Sequence, residues 1–234
     1  MTALILLHGA LGAAEQFAAL RQALRERAGR RLAVHTLDFE GHGAATHRDR
    51  PYGMAHFVEN VCDVMDRSAI DRASLFGYSM GGYVALCLAA SRPDRVERIM
   101  TLGTRFRWTP EGAAREGAML DPRRMEEKVP QFAALLRARH VGAGWEDVLD
   151  RTREMMAALG AGPELTDATL GSIDIPVRIA VGDRDGTVSV EESAEIARVL
   201  PRGELEVLLN TPHPFEKIDA ARLAESIAAF VATP

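Results

Sequence analysis

Apolar residues along the chain follow two alternating rhythms. Short uninterrupted runs near positions 3–7, 32–37, 73–77, 96–102, 175–181 and 204–209 read as strands. Between them, at 13–28, 54–68, 81–91, 190–200 and 215–231, apolar residues recur every three or four positions, the spacing of amphipathic helices. In the second of these stretches Met54, Phe57, Val58, Val61, Cys62 and Met65 fall on one helical face. Continuous apolar runs suit strands covered on both sides, and a strand–helix alternation joins parallel neighbours through helical crossovers. The expected fold class is therefore α/β, a mainly parallel sheet with helices on both faces. The chain carries neither internal repeats nor low-complexity segments.

The rhythm breaks once, between Thr104 and Gly171, a span too long for a simple connection. It contains helical patches at Gln131 to Arg139 and Trp145 to Leu159. The expected organisation is a core made of residues 1–103 and 172–234, with a helical insertion at 104–171.

Composition narrows the function classes. A length of 234 residues with 47% hydrophobic and 26% charged residues is that of one globular domain with a large core. A net charge of −5 argues against nucleic acid as the main partner. Five arginines crowd Arg21 to Arg31, but Glu15 and Glu26 lie beside them and Phe17, Leu20 and Leu24 mark the opposite face, so they read as a solvated helix face. Two cysteines make no disulfide scaffold. No run approaches membrane-spanning length, and the first residues show neither a basic region nor a cleavage-site pattern. A cytoplasmic protein with a small-molecule partner, and with no nucleic-acid or membrane partner, is the expectation.

Candidate chemistry begins at Gly77-Tyr78-Ser79-Met80-Gly81-Gly82, a G-x-S-x-G pattern lying between a strand and a helix. The sharp turn demands small neighbours, lifts the serine hydroxyl off the strand end, and aims the unpaired amides of the next helix at the same point. A serine held this way is presented to attack a carbonyl carbon. The first strand ends in His8-Gly9-Ala10-Leu11-Gly12, whose glycines permit close approach. An oxyanion formed at the attacked carbonyl needs two preorganised donors. The Met80 amide is one candidate, and the amide of Ala10 or Leu11 the other. The strand at 175–181 runs into Gly182-Asp183-Arg184-Asp185-Gly186, which offers two carboxylates. The strand at 204–209 delivers His213 between Pro212 and Pro214, which stiffen its loop.

Taken together, the His-Gly-x-x-Gly loop, the Asp38-Phe39-Glu40-Gly41-His42-Gly43 turn, the Ser79 elbow, the approach from Leu170 to Asp185, and His213 resemble the α/β-hydrolase fold superfamily almost end to end. The resemblance implies a Ser79–His213–Asp185 triad, because its members place the acid and then the histidine on loops after later strands. The family's Gly-x-x-Asp spacing selects Asp185 and leaves Asp183 as a loop-capping carboxylate. His8 is implied to brace its loop. The insertion corresponds to a cap over the nucleophile, where Trp108, Trp145, Phe132 and Met119, with Met155 and Met156, are expected to line an apolar pocket. The plainer alternative is that these residues pack the cap onto the core.

Two features depart from the family pattern. The antiparallel strand pair that usually precedes the His-Gly strand is absent from the sequence. That leaves Arg31 to Leu37 as a sheet edge, blunted by the charges of Arg30 and Arg31. Proline also stands beside His213, where glycine is common.

The implied activity is that of a cofactor-free serine hydrolase cleaving a small ester or thioester through an acyl-enzyme. The elbow also resembles that of menaquinone-pathway lyases, which usually carry an arginine where this chain has Tyr83; on that reading Arg105 and Arg107 would bind the anionic substrate instead. Some relatives keep the triad as non-catalytic small-molecule receptors. An aspartate nucleophile, as in epoxide- or halide-processing relatives, is excluded by Ser79. No P-loop, G-x-G-x-x-G or H-E-x-x-H pattern occurs, and His42 and His47 without further ligands make no metal site. Neither a cofactor nor a metal is expected.

Overall fold

Strands β1 (Thr2–Leu7), β2 (Leu32–Thr36), β3 (Ala73–Tyr78), β4 (Val96–Leu102), β5 (Val177–Arg184) and β6 (Gly203–Pro212) form one sheet in the order β2-β1-β3-β4-β5-β6, with every pairing parallel. The structure is a computed structural model that describes residues 2–232, the side chain of Arg30 excepted. The period of two along each strand sorts the core into two halves. Leu4 and Leu6 join Phe76, Tyr78, Met100 and Leu102 on one face, while Ile5 and Leu7 join Leu75, Ile99, Val177 and Ile179 on the other.

Helices α1 (Ala18–Ala28) and α10 (Ala220–Ala232) cover the first face through Leu20, Leu24, Leu223, Ile227 and Phe230. Helices α2 (Met54–Arg67), α3 (Met80–Ser91) and α9 (Val190–Val199) cover the second through Phe57, Val61, Val84, Leu88 and Ile196. The apolar stripe read from α2 is buried, except that Cys62 is only half-buried. Asn60 joins that face because its side chain bonds the Glu40 backbone amide and carboxylate, at 2.9 and 3.0 Å.

Element ends differ from the sequence reading for local reasons. Pro176 has no N–H to donate, and β5 starts one residue later, at Val177. Within the stretch read as helix from residue 13, Ala14–Phe17 form a 3-10 turn ahead of α1. Residues 215–217 form another such turn, and α10 begins at Ala220, where the Asp219 carboxylate accepts the amides of Ala221 and Arg222. β2 is a sheet edge, as expected, and its residues are half-buried throughout. Arg31 beside it is exposed; the Arg30 side chain lies outside the described residues. The opposite edge, β6, carries Glu204 and Glu206 paired with Arg178, charges that discourage further strand addition.

Between β4 and β5 the insertion forms five helices: α4 (Pro110–Gly117), α5 (Pro122–Lys128), α6 (Pro130–Arg139), α7 (Trp145–Ala161) and α8 (Asp167–Gly171). Only α6 and α7 are legible from periodicity. The starts of α4 and α5 are written instead in cap chemistry, Thr109-Pro110 and Asp121-Pro122. Their side chains accept from Gly112 and Arg124 amides at 3.1 and 2.7 Å. Leu120, Met125, Leu136, Trp145, Val148 and Leu149 make a small core of their own, and one residue from the sheet side, Leu11, completes it.

Candidate active site

Ser79 sits between the end of β3 and the start of α3 with φ 51° and ψ −117°, a conformation that costs a non-glycine residue free energy and must be held. The C-terminal end of β4 holds it. The Ser79 amide donates to the Leu102 carbonyl at 2.8 Å, and Thr104 Oγ1 donates to the Ser79 carbonyl at 2.9 Å. The glycines around it are required by contact. A Cβ on Gly81 would lie 2.2 Å from the Leu7 carbonyl oxygen, so α3 starts against the backbone of β1. Met80 is the first residue of α3, and its amide has no acceptor within the helix.

The side chains of Asp185 and His213 meet. His213 Nδ1 is 2.7 Å from Asp185 Oδ2, and the Asp185 side chain is only 3% exposed. Asp185 Oδ1 is occupied by the amides of Thr187 and Val188 at 2.8 and 2.9 Å. Burial works to raise the Asp185 carboxyl, but the His213 contact and the two amides overcome it and hold the group below its ordinary value. Asp183 is exposed and accepts the Thr211 amide at 3.1 Å, a bond that ties the β5 end to the β6 end.

Two observations join this pair to Ser79. Gly103, with φ 61°, follows the Leu102 carbonyl that receives the Ser79 amide. A Cβ there would lie 2.9 Å from Asp185 Oδ2 and 3.2 Å from His213 Nδ1. Tyr78, immediately before Ser79, donates its hydroxyl to the His213 carbonyl at 2.9 Å and packs its ring 5.4 Å from the imidazole. Tyr78 was not singled out from the sequence. Its position next to the serine was visible, but its contact with a residue 135 positions away was not.

The loop after β1 lies on the other side of the serine, where a Cβ on Gly9 would be 3.1 Å from Ser79 Cβ. His8 is fully buried. Its Nδ1 donates to the Gly9 carbonyl at 2.8 Å while Nε2 accepts the Phe39 amide at 3.1 Å. Burial pushes its pKa down to about 4, so this imidazole is neutral at ordinary pH and braces the loop. Gly12 also donates to the Gly9 carbonyl, at 3.0 Å. Leu11 has φ 59°, and its carbonyl accepts from Arg139 Nη1 at 3.1 Å and from His140 Nε2 at 3.0 Å.

Ser79, Met80 and Ala10 line a cavity of about 60 Å³ together with Met54, Tyr83, Trp108, Met155, Met156, Leu159 and Thr187, and with the ion-paired Arg105 and Glu116. Of the six residues expected to line the pocket, Trp108, Met155 and Met156 do so. Trp145 is instead buried in the insertion's own core, and Phe132 and Met119 are 40% and 56% exposed on its outer surface. Neither Arg105 nor Arg107 is unpaired. Arg105 reaches Glu116 at 2.8 Å and the Thr187 carbonyl at 2.7 Å, and Arg107 reaches Asp167 at 2.6 Å.

The chain belongs to the α/β hydrolase fold family, whose model matches residues 2–169. Among its relatives is an sn-1-specific diacylglycerol lipase ABHD11 of Xenopus laevis, 35% identical over 99 residues; these are 42% of this chain and only 31% of that protein. The chain is 27% identical over 203 residues to a pimeloyl-acyl-carrier-protein methyl ester esterase of Neisseria meningitidis, covering 78% of this chain and 77% of the esterase. A putative 2-succinyl-6-hydroxy-2,4-cyclohexadiene-1-carboxylate synthase of Bacillus subtilis is 24% identical over 240 residues, 90% of this chain and 83% of that one. Among solved structures, a thermophilic esterase from Thermogutta terrifontis superposes with a TM-score of 0.77 at 22% identity, covering 99% of this chain and 89% of the esterase. Among the described residues, no helix is long and apolar enough to cross a membrane.

Proposed function

We propose that the protein is a serine hydrolase cleaving small carboxylic esters or thioesters through a Ser79–His213–Asp185 triad. The observation that carries this reading is the juxtaposition at Gly103. The strained Ser79 and the hydrogen-bonded His213–Asp185 pair abut the same turn at the end of β4. In the proposed reaction Ser79 Oγ adds to the carbonyl carbon while its proton passes to His213 Nε2, and Asp185 stabilises the imidazolium that forms. The carbonyl oxygen becomes an oxyanion held by the Met80 amide and by the Ala10 amide, which borders the same cavity as the serine. Collapse expels the alcohol or thiol, which takes the proton from His213. Water activated by the same imidazole then releases the acid.

The cavity favours a short apolar acyl group, since it is small and lined largely by methionines, Leu159 and Trp108, and the cation in its lining, Arg105, is paired with Glu116. The lyase reading needs a free cation for an anionic substrate. Arg105 and Arg107 each already serve a carboxylate of this chain, so the neutral acyl group is the reading supported.

A panel of aryl esters and acyl thioesters of increasing chain length tests the proposal, with Ser79→Ala as the control. Multiple turnovers by the wild type, loss of about 10⁴ or more in Ser79→Ala, and fluorophosphonate labelling at Ser79 alone are expected. Stoichiometric, single-turnover behaviour would instead indicate a receptor. Activity retained by Ser79→Ala to within tenfold would remove the serine from the mechanism.

A further inference from the structure

The loop that borders Ser79 is held from two sides, and one of them is the insertion. The Leu11 side chain fills the small core of α5, α6 and α7, beside Met125, Leu136 and Trp145. Its carbonyl accepts from Arg139 Nη1 and from His140 Nε2, the last residue of α6 and the one after it. The direction of the second bond is fixed by geometry. His140 Nδ1 accepts the Gly43 amide at 3.0 Å, so the proton of a neutral ring sits on Nε2 and points at Leu11. Burial lowers the His140 pKa, which keeps that tautomer neutral.

Arg139 reaches further. Its side chain is 5% exposed, and besides Leu11 its guanidinium bonds Glu216 at 2.9 Å and Glu15 at 3.3 Å. Glu216 lies three residues beyond His213 and also accepts at 2.7 Å from Gln16, in the 3-10 turn that follows Gly12. One buried cation thus ties the serine-facing loop, the His213 loop and the insertion. A planar fork with several fixed donors suits this task better than a flexible ammonium.

We propose that Arg139 and His140 are positioning residues for the oxyanion loop. By fixing the Leu11 carbonyl they hold a left-handed residue in place, and with it the Gly9–Gly12 turn that orients the Ala10 amide. The insertion therefore contributes to transition-state stabilisation as well as roofing the cavity. The inference rests on the reading of the Ala10 amide as an oxyanion donor.

Arg139→Met, Arg139→Lys, His140→Ala and His140→Gln separate this role from a merely structural one. The readouts are kcat and KM on the best ester, inhibition by an alkyl trifluoromethyl ketone, and amide exchange of residues 9–12. Arg139→Met is expected to lower kcat by about 10- to 100-fold with KM within about threefold, because an oxyanion donor acts in the transition state and not on the bound ester. Affinity for the ketone, whose adduct carries the oxyanion, falls in parallel, and amides 9–12 exchange faster. Arg139→Lys restores part of the loss. His140→Gln, which keeps a donor near the Nε2 position, outperforms His140→Ala. If Arg139→Met does not fold, the two His140 variants carry the same comparison.

A change confined to KM, or kcat and ketone affinity both unchanged in Arg139→Met and His140→Ala, overturns the proposal. Should the wild type be inert toward every ester and the ketone, the hydrolase reading fails. The positioning role would then be judged on exchange alone, with unchanged protection of residues 9–12 in the variants overturning it.

Discussion

Replacing Asp185 by asparagine tests the triad reading most sharply, because the structure dictates how the new side chain must sit. Asp185 Oδ1 accepts two backbone amides, from Thr187 and Val188, while Oδ2 faces His213 Nδ1 at 2.7 Å. An asparagine has one acceptor oxygen and one donor nitrogen. Its oxygen must take the Oδ1 position, since its NH₂ group there would oppose two N–H donors, each conflict worth about 1–3 kcal/mol in a buried site. The NH₂ group is then aimed at His213 Nδ1, which has to accept. The imidazole proton moves to Nε2, and the ring can no longer take a proton from Ser79.

The expected cost is about 10⁴ in kcat, or roughly 5–6 kcal/mol of transition-state stabilisation, with little change in KM. Folding should survive, because the substitution is isosteric and keeps both amide bonds. Asp183→Asn is the paired control. Its one bond, to the Thr211 amide, can be accepted equally by an asparagine oxygen, so a loss below about threefold is expected. Steady-state hydrolysis of the best aryl ester by both variants, with circular dichroism to verify folding, decides the matter. Asp185→Asn within tenfold of wild type, or Asp183→Asn the more damaged of the two, would refute the reasoning.

Other perturbations probe the supports of the site. Tyr78→Phe leaves the His213 carbonyl without its 2.9 Å donor, so urea denaturation should show a loss of about 1–2 kcal/mol and kcat should fall by about tenfold or less. Trp108→Ala should move the peak of the acyl chain-length profile toward longer chains, whereas Trp145→Ala should cost about 3–5 kcal/mol of stability without moving that peak. The reverse pattern would put Trp145, and not Trp108, at the substrate. Acid should destabilise the fold through its buried neutral histidines. His8, His42 and His140 are all depressed in the folded state, His8 to about 4 by burial, so the unfolded chain takes up protons first as pH falls below the ordinary value of 6.5. Their stabilising effect is complete above pH 6.5 and is lost progressively toward pH 4, with His8 alone contributing up to about 3 kcal/mol. Urea midpoints compared at pH 7.5 and pH 4.5 read this directly, and equal midpoints would contradict it.

The alternation of apolar runs and amphipathic stretches determined the parallel sheet, and the elbow pattern marked the strand–turn–helix at Ser79. Both are local: a strand, a turn and a helix start are each encoded within a few residues by steric and periodic requirements. The family's Gly-x-x-Asp spacing selects Asp185 over Asp183, and the structure gives the two carboxylates different partners, His213 for Asp185 and the Thr211 amide for Asp183. The pocket was not legible in the same way. Trp108, Trp145, Phe132 and Met119 are equally apolar in sequence, and only the packing of five short helices sends one to the cavity, one to a private core and two to the surface. Tyr78 at His213, and Arg139 and His140 at Leu11, join residues more than a hundred positions apart. Contacts at that separation leave no periodic trace in a single chain, since they depend on how rigid elements close on one another. Tertiary structure alone decided them.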